Sequence, residues 1–327
     1  MDKIKLKFSS FWASPKENNE RVIRNWGSLP ECFELSSSED YDYLIVLTHS
    51  PEMENSPPEK NIAFCMEPSW SPNVVPWRDK LIEKCKYIIT NDEELEWEGR
   101  KGKRVVYGYN FMFHHDSRKN HETNFQTGPS VEQYLSEDTL PEGVDNEDYP
   151  LKACYINTNH GIPNLGYPTG THRRWETLYD VRDKLFTDIL ESDLPVDLYG
   201  NNWNTKDPRY KGSPYLKREA IKGYKYCIAI ENSRSNLYIS EKFFDPILNN
   251  TVPIYYGCKT INQAYDPESY VEFNPQKDSA IEQLRYIIEQ PISQRNAAIQ
   301  KSKKDYFIKY NLLNFLEDLL NTPTVIL

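Results

Sequence analysis

The chain has 327 residues, with 39 lysines and arginines against 49 aspartates and glutamates, giving a formal net charge of −10. A surface this acidic repels the phosphates of a duplex, so we expect no nucleic-acid partner. Hydrophobic residues make up 38% of the chain, which supports a buried core, but no apolar run approaches the roughly 20 residues of a membrane-spanning helix.

The start of the chain and its cysteines favour a cytoplasmic protein. The first residues, MDKIKLKFSSFW, alternate apolar and polar side chains, which predicts a first strand rather than a signal peptide. The six cysteines are widely spaced and show neither CxxC nor Cys/His metal-ligand spacing. We therefore expect reduced thiols, while the even number keeps disulfides as the alternative.

The first half of the chain alternates strand-like runs with a helical segment. The strand-like runs are KIKLKF, ECFEL, YLIVLT, NIAFCME, KYIIT and RVVYG. Between two of them, ENNERVIRNW places Val22, Ile23 and Trp26 on one face of a helix. This alternation predicts an α/β fold with an open, mostly parallel sheet, and we assign residues 1–115 to an N-terminal Rossmann-like domain.

The composition changes between residues 116 and 150. This segment is acidic, rich in turn-forming residues and poor in aliphatic ones, and it shows no sustained hydrophobic period. Such a pattern predicts a linker or an insertion, and we place the domain boundary here.

Residues 151–327 resume the α/β pattern and form a predicted C-terminal domain. Strands are predicted at LKACYIN, VDLYG, YCIAIE, VPIYYG and YVEF, and helices at RRWETLYDVRDKLFTDILE, SEKFFDPIL and SAIEQLRYIIEQ. A terminal helix, DYFIKYNLLNFLEDLL, carries an apolar stripe that we assign to the same domain, with peripheral membrane contact through its lysines as the alternative. Two doubly wound domains bind ligands beyond the carboxyl ends of their strands.

The densest group of polar side chains lies in the stretch ENSRSNLYISEKFF. Strand YCIAIE puts Glu231 at its carboxyl end, and a helix is predicted to start near Ser240. The first N–H groups of a helix lack internal partners and attract anions. Lys242 adds a positive charge there, Tyr238 offers a flat face, and Glu241 can accept hydrogen bonds from sugar hydroxyls. These groups predict a nucleotide-sugar pocket, whereas a capped and solvated helix start is the alternative.

The segment IAIENSRSNLYISEKFFDPILNNTVPIYYG closely resembles the α1,3-fucosyltransferases of glycosyltransferase family 10. Their motif is an apolar strand, Glu-Asn-Ser, a short gap, Tyr, one residue, Thr or Ser, Glu-Lys and then Val-Pro-x-x-x-Gly. VDLYGNNW and NIAFCMEPSW resemble two further segments of the family. The resemblance implies a GT-B fold of two Rossmann-like domains with an interdomain cleft, and an inverting reaction with GDP-fucose that uses no metal and no other cofactor.

The same resemblance implies roles for residues of the C-terminal domain. Glu231 and Asn232 would shape the donor pocket, Tyr238 and Glu241 would position the fucose, and Lys242 would bind the diphosphate. The family also has an arginine for the diphosphate, on the helix before the VDLYG strand. Arg182 is the nearest match although it falls one residue out of register, and Arg173 and Arg174 lie farther upstream.

The resemblance places the general base on Glu67. Independently of the family, Glu67 ends a buried strand just before Pro68, at the edge where ligands bind. Desolvation in a cleft would raise its pKa, as suits a group that abstracts a hydroxyl proton. A carboxylate that caps a turn at Pro68 is the alternative.

We therefore expect an inverting glycosyltransferase that moves L-fucose from GDP-fucose to a hydroxyl of a glycan acceptor. Its expected partners are the nucleotide-sugar donor and the glycan acceptor. The alternatives are a related transferase with a different nucleotide sugar and a non-catalytic carbohydrate- or nucleotide-binding protein. A dinucleotide-dependent oxidoreductase is disfavoured because no GxGxxG follows a predicted strand. The sequence indicates neither the acceptor, nor the linkage, nor the oligomeric state.

Overall fold

The computed structural model describes residues 2–68, 71, 75–91, 104–107, 129–159 and 176–321. The chain divides into two compact units, one formed by residues 1–112 with 307–327 and the other by residues 113–306. Every helix in the described ranges is too short or too polar to cross a bilayer.

The first unit contains a six-stranded sheet in which all described pairs are parallel. The six predicted strand runs are all confirmed, in the spatial order β2-β1-β3-β4-β5-β6. The strands are β1 Ile4–Ser9, β2 Phe33–Leu35, β3 Tyr43–Leu47, β4 Asn61–Phe64, β5 Tyr87–Thr90 and β6 Arg104–Tyr107, and the helices are α1 Pro15–Trp26 and α2 Arg78–Lys84.

Local sequence explains these elements. Ser14 begins α1 with a capping box, in which its side chain accepts from the Glu17 N–H and the Glu17 carboxylate accepts from the Ser14 N–H. Pro15 follows at the first helical position, where its missing N–H costs nothing. The central strands β3 and β4 are buried on both faces, which is why they read as continuous apolar runs.

The second unit contains a five-stranded parallel sheet in the order β13-β12-β10-β7-β9. Its five strands correspond to the five predicted ones. Its strands are β7 Ala153–Ile156, β9 Val196–Tyr199, β10 Tyr226–Ile230, β12 Val252–Tyr256 and β13 Val271–Glu272, and a separate antiparallel pair is β8 Glu176–Thr177 with β11 Ser233–Arg234. Its described helices are α3 Val131–Ser136, α4 Tyr179–Glu191, α5 Glu241–Leu248, α6 Ile261–Ala264, α7 Ala280–Glu289 and α8 Asn296–Ile308, the last two residues of which count with the first unit.

The end of the chain differs from its predicted assignment to the domain 151–327. The predicted terminal helix is broken before Leu312, and its second part, α9 Leu312–Asn321, belongs to the first unit. The Asn311 side chain donates to the Trp26 carbonyl (2.9 Å) and accepts from the Leu313 N–H (2.9 Å). Phe315 packs edge-on against Phe64 of β4, with ring centroids 5.9 Å apart. The terminal helix does carry the predicted apolar stripe, but the stripe packs against the sheet of the first unit.

The segment 116–150, predicted as a linker or an insertion, is folded against the second unit where the structure describes it, from residue 129 onward. Helix α3 starts with a capping box at Ser130, and Tyr134 within it is buried. Val144 joins the core of the second unit, and the Asp145 carboxylate accepts from the backbone N–H of Ile292 (2.6 Å). A few well-placed apolar and acidic residues therefore anchor a segment whose average composition is that of a linker. Residues 116–128 lie outside the described ranges.

Candidate active site

A cavity of about 250 Å³ opens at the carboxyl edge of the second sheet, beside β10 and the start of α5. Four of the predicted site residues line it: Arg182, Asn232, Glu241 and Lys242. They come from α4, from the loop after β10 and from the first turn of α5, so three separate segments converge at one point.

Ser240 fixes the start of α5. Its backbone is extended, and its side-chain oxygen accepts from the Lys242 N–H at 3.3 Å, as in an ordinary helix N-cap. The first N–H groups of this helix have no partners within the helix, and its dipole places partial positive charge at the same end. The helix therefore begins with an electropositive turn at the cavity.

Glu231 fixes the position of the first turn of α5. It is fully buried, and its carboxylate accepts from the Ser240 N–H (2.7 Å), from the Ser240 hydroxyl and from the Tyr255 hydroxyl (3.2 Å). Burial raises the pKa of this carboxyl, while the nearby positive charge of Lys242 opposes the rise. Glu231 is thus a positioning residue, and it shapes the pocket through the helix start.

A glycine makes room for Glu231. A β-carbon added at Gly257 would lie 2.2 Å from the Glu231 Cγ and 2.8 Å from the Tyr255 hydroxyl oxygen. The register of β10 and β12 pairs Ile230 with Tyr256, which brings the next residue of each strand side by side. The final glycine of the VPIYYG run is therefore required by close approach rather than by a turn.

The cavity is lined by three cationic and two anionic side chains. Lys217 donates to the Asp245 carboxylate at 3.0 Å and to Glu241 Oε1 at 3.3 Å, and Lys242 donates to the same Glu241 oxygen at 2.9 Å. Burial acts to lower the pKa of Lys217, but the two carboxylates outweigh it and raise that pKa. Glu241 is thus oriented by two ammonium groups, and the cavity keeps one net positive charge, which Arg182 supplies.

Arg182 is the residue best suited to bind an anion in this cavity. Its side chain is largely buried, at 5% exposed, and its terminal Nη1 donates to the Asn232 side-chain oxygen. Its Nε has no hydrogen-bond partner among the described residues. A buried guanidinium with an unused donor is costly unless a ligand completes its hydrogen bonds. The predicted alternatives Arg173 and Arg174 lie outside the described residues.

A second cavity of about 340 Å³ adjoins the first and shares Lys217 and Glu241 with it. It lies beyond β7 and β9, where Gly200 immediately follows β9 at φ +140°, a conformation that favours glycine. Tyr215 lines it with 39% of its surface exposed. Together the two cavities form one groove along the carboxyl edges of three neighbouring strands.

Two predicted site residues lie elsewhere. Tyr238 is only 2% exposed and is absent from the lining of both cavities in the described part of the chain, so its role in positioning a sugar stays a prediction. Glu67 belongs to the first unit, where it follows β4 after the buried residues Cys65 and Met66. Its side chain is partly exposed, and its role as a base also stays a prediction.

Sequence reasoning missed Lys217, Asp245 and Thr158, which also line the groove. Asp245 lies one turn after Glu241 in α5, a spacing that puts the two carboxylates on one helix face. Lys217 comes from a polar stretch ahead of β10 that carries no motif of its own. Across the described ranges, no group of three or more His, Cys, Asp or Glu side chains lies close enough to hold a metal ion.

Residues 172–292 match the family model described as glycosyltransferase family 10 (fucosyltransferase), C-terminal, which confirms the resemblance seen in the sequence. Alpha-(1,3)-fucosyltransferase FucT of Helicobacter pylori is 32% identical over 149 residues, 44% of this chain and 27% of that protein. Alpha-(1,3)-fucosyltransferase B of Drosophila melanogaster is 31% identical over 105 residues, 26% of this chain and 24% of that protein. The match thus spans about a quarter of the length of these relatives.

Two solved structures are similar along nearly the whole chain. One is an α1,3-fucosyltransferase, with a TM-score of 0.50 and 19% identity over 99% of this chain and 91% of that one. The other is an α1,3-fucosyltransferase with GDP, with a TM-score of 0.51 and 17% identity over 99% and 92%. At this identity the similarity concerns the fold, and it confirms the predicted GT-B type with two Rossmann-like sheets.

Proposed function

Since the second unit of this chain resembles the C-terminal domain of family 10 fucosyltransferases, we propose that the protein is an inverting glycosyltransferase that moves L-fucose from GDP-fucose to a hydroxyl of a glycan acceptor. The observation that carries the proposal is the convergence of Arg182, Lys242 and the first turn of α5 on one cavity. That cavity is formed largely by the residues that match the family model.

The chemistry requires a site that stabilises a departing diphosphate. As the bond between the sugar and the phosphate oxygen breaks, negative charge grows on GDP. A buried guanidinium, an ammonium group and the positive end of the α5 dipole, all fixed beside the cavity, stabilise this charge without rearranging. Arg182 brings an unused donor, and Lys242 is held near the helix start by Glu241 and Ser240. We assign both residues to the diphosphate.

The adjoining cavity accommodates the rest of the nucleotide in this proposal. The exposed ring of Tyr215 provides a flat surface on which a purine base can stack, a contact worth about 1 to 3 kcal/mol per base. Glu241, oriented by two lysines, accepts from a sugar hydroxyl, and Tyr238 would support the fucose through the buried loop. The donor would then lie along the groove, with its diphosphate at α5.

Glu67 is assigned to the general base, which takes the proton from the acceptor hydroxyl as that oxygen attacks the anomeric carbon. A single direct displacement inverts the anomeric centre and leaves the proton on the carboxyl. We also propose that the reaction needs no metal, because protein cations already fill the role of charge neutralisation at the diphosphate. Addition of EDTA should then leave the initial rate of transfer unchanged.

A panel of donors tests the proposal. GDP-fucose, GDP-mannose, UDP-glucose and UDP-N-acetylglucosamine are each incubated with the protein and a mixture of glycans, and the released nucleotide and labelled product are identified. We expect GDP and fucosylated product from GDP-fucose alone. Product from a UDP-sugar would assign a different donor, and tight GDP binding without any product would assign a non-catalytic binding protein.

Two variants separate the assigned roles. Lys242→Met should weaken GDP binding at least tenfold in calorimetry, while Lys184→Met, an exposed lysine on α4 paired with Asp188, serves as its matched control. Glu67→Gln should abolish transfer but leave GDP affinity unchanged, with exposed Glu59→Gln as control. Full transfer activity in Glu67→Gln would remove this residue from the mechanism.

A further inference from the structure

Three aromatic rings form a continuous stack in the first unit. Phe11 and His49 are parallel, with centroids 4.2 Å apart and an interplanar angle of 3°. His49 and Trp77 are also stacked, at 4.4 Å and 15°. Two parallel rings at these distances cannot share one face of the imidazole, so His49 is sandwiched between Phe11 and Trp77.

The stack lies at the carboxyl edge of the first sheet. Phe11 follows β1, His49 follows the adjacent β3, and Trp77 lies in the connection between the next strand, β4, and α2. This is the edge where open α/β sheets bind ligands. Glu67, the proposed base, belongs to the same connection after β4.

A strained backbone conformation at Thr48 positions the His49 ring in the stack. Thr48, immediately before His49, has φ +63°, a conformation that is a true outlier for a β-branched residue. Its N–H donates to the Phe64 carbonyl at 2.7 Å, which fixes the chain at the end of β3. Strain of this kind persists where the surrounding structure enforces it, and it concentrates at ligand-binding sites. The residue bearing the strain turns the chain so that the His49 ring enters the stack.

The two ends of the stack have different surroundings. The Lys80 ammonium lies 4.5 Å from the centre of the Trp77 ring at one end, and it also pairs with Glu54. Phe11, at the other end, is 43% exposed, so part of its ring is accessible to a ligand. Trp12 contacts Phe11 edge-on at 4.7 Å, and its buried Nε1 has no hydrogen-bond partner among the described residues.

We propose that the outer face of Phe11 is a stacking platform for a pyranose ring of the acceptor glycan. A pyranose presents polarised C–H groups on one face, and these are attracted to the negative face of an aromatic ring. A ring that is held rigidly by two further rings and a cation loses little entropy when the sugar binds. The inference rests on the proposed function in assigning the sugar to the acceptor.

The platform can be tested in the absence of any donor. Saturation-transfer difference NMR is recorded on the full chain with methyl β-D-galactopyranoside, methyl β-D-glucopyranoside, methyl α-D-mannopyranoside and methyl N-acetyl-β-D-glucosaminide. At least one glycoside should receive saturation, strongest at the C–H groups of one ring face. Phe11→Ala should weaken its affinity by about fivefold to tenfold, the size expected for one stacking contact. Phe11→Trp should restore it.

The matched control is Tyr286→Ala, which removes a ring that is 70% exposed in the second unit and should change nothing. Saturation of none of the four glycosides, or equal saturation in wild type and Phe11→Ala, overturns the platform. GDP binding is measured on the same samples by calorimetry and should be unaffected by Phe11→Ala. Glycoside binding without GDP binding would support the platform and refute the proposed function, so the two failures are distinguishable.

Discussion

Replacing Gly257 by alanine should disrupt the start of α5, because the added methyl group displaces Glu231. The added β-carbon would lie 2.2 Å from Glu231 Cγ, 2.7 Å from Glu231 Cβ and 2.8 Å from the Tyr255 hydroxyl oxygen. These distances are far below an ordinary contact, so the Glu231 side chain must move. Because Glu231 is fully buried, it can move only by releasing its present partners.

The cost follows from the partners that are lost. The carboxylate accepts two hydrogen bonds from Ser240, through the backbone N–H and the hydroxyl. Hydrogen bonds to a charged group contribute about 1.5 to 3 kcal/mol each, so losing both lowers the free energy of unfolding by about 3 to 6 kcal/mol. The stability of a whole domain is about 5 to 15 kcal/mol, which makes this a severe change.

Urea denaturation measures the loss of stability, and hydrogen exchange locates it. We expect the amides at the beginning of α5 to lose protection, and GDP affinity to fall at least tenfold because the electropositive turn is no longer held. Gly212→Ala is the control, since its added β-carbon meets no atom within 4 Å and only its φ of +76° costs energy. A loss below about 1 kcal/mol in Gly257→Ala, with wild-type GDP binding, would refute the role given to Glu231.

Three further outcomes are expected. Lys217→Met leaves the Glu241 and Asp245 carboxylates without their shared cation, so GDP affinity should fall at least tenfold in calorimetry; an unchanged affinity would contradict this pairing. Tyr215→Ala should weaken binding of GDP by about tenfold but leave binding of pyrophosphate unchanged, whereas equal losses would rule out base stacking. Burial lowers the pKa of Lys303 to about 8, whereas a lysine in the unfolded chain has a pKa of about 10.4. Between these two pH values the unfolded state binds more protons than the folded state, so the free energy of unfolding rises with pH in that range. Between pH 7 and pH 10 the free energy of unfolding of wild type should therefore rise by about 2 to 3 kcal/mol relative to Lys303→Met, and a difference independent of pH would show an unshifted lysine.

The sequence was informative wherever hydrophobic periodicity and a motif coincided. All six strands of the first sheet and all five of the second correspond to predicted runs. The central strands β3, β4, β10 and β12 were the clearest, because parallel strands buried on both faces are short, continuous and apolar. The stretch after β10 also placed Asn232, Glu241 and Lys242 correctly at the carboxyl edge. These site predictions relied on one general rule, that ligands bind beyond the carboxyl ends of parallel strands.

Long-range contacts account for what the sequence did not reveal. Arg182 reaches the cavity because the start of α4 meets the loop after β10, where the Arg182 guanidinium donates to Asn232, fifty positions along the chain. Lys217 enters the groove from a segment without any periodic pattern, and its role depends on carboxylates of α5. Likewise, the predicted helix RRWETLYDVRDKLFTDILE begins only at Tyr179, since Glu176 and Thr177 pair with the loop after β10 as strand β8.

The return of α9 to the first unit has a practical consequence for dissecting the protein. The second unit occupies one uninterrupted stretch of chain, residues 113–306, whereas the first unit is assembled from both ends of the chain. A fragment cut after residue 112 would leave the partners of Phe315, including Phe64, facing water and prone to self-association. We therefore expect a fragment of residues 113–306 to be expressed in folded form. A fragment of residues 1–112 should fail to fold unless the terminal helix is fused to it.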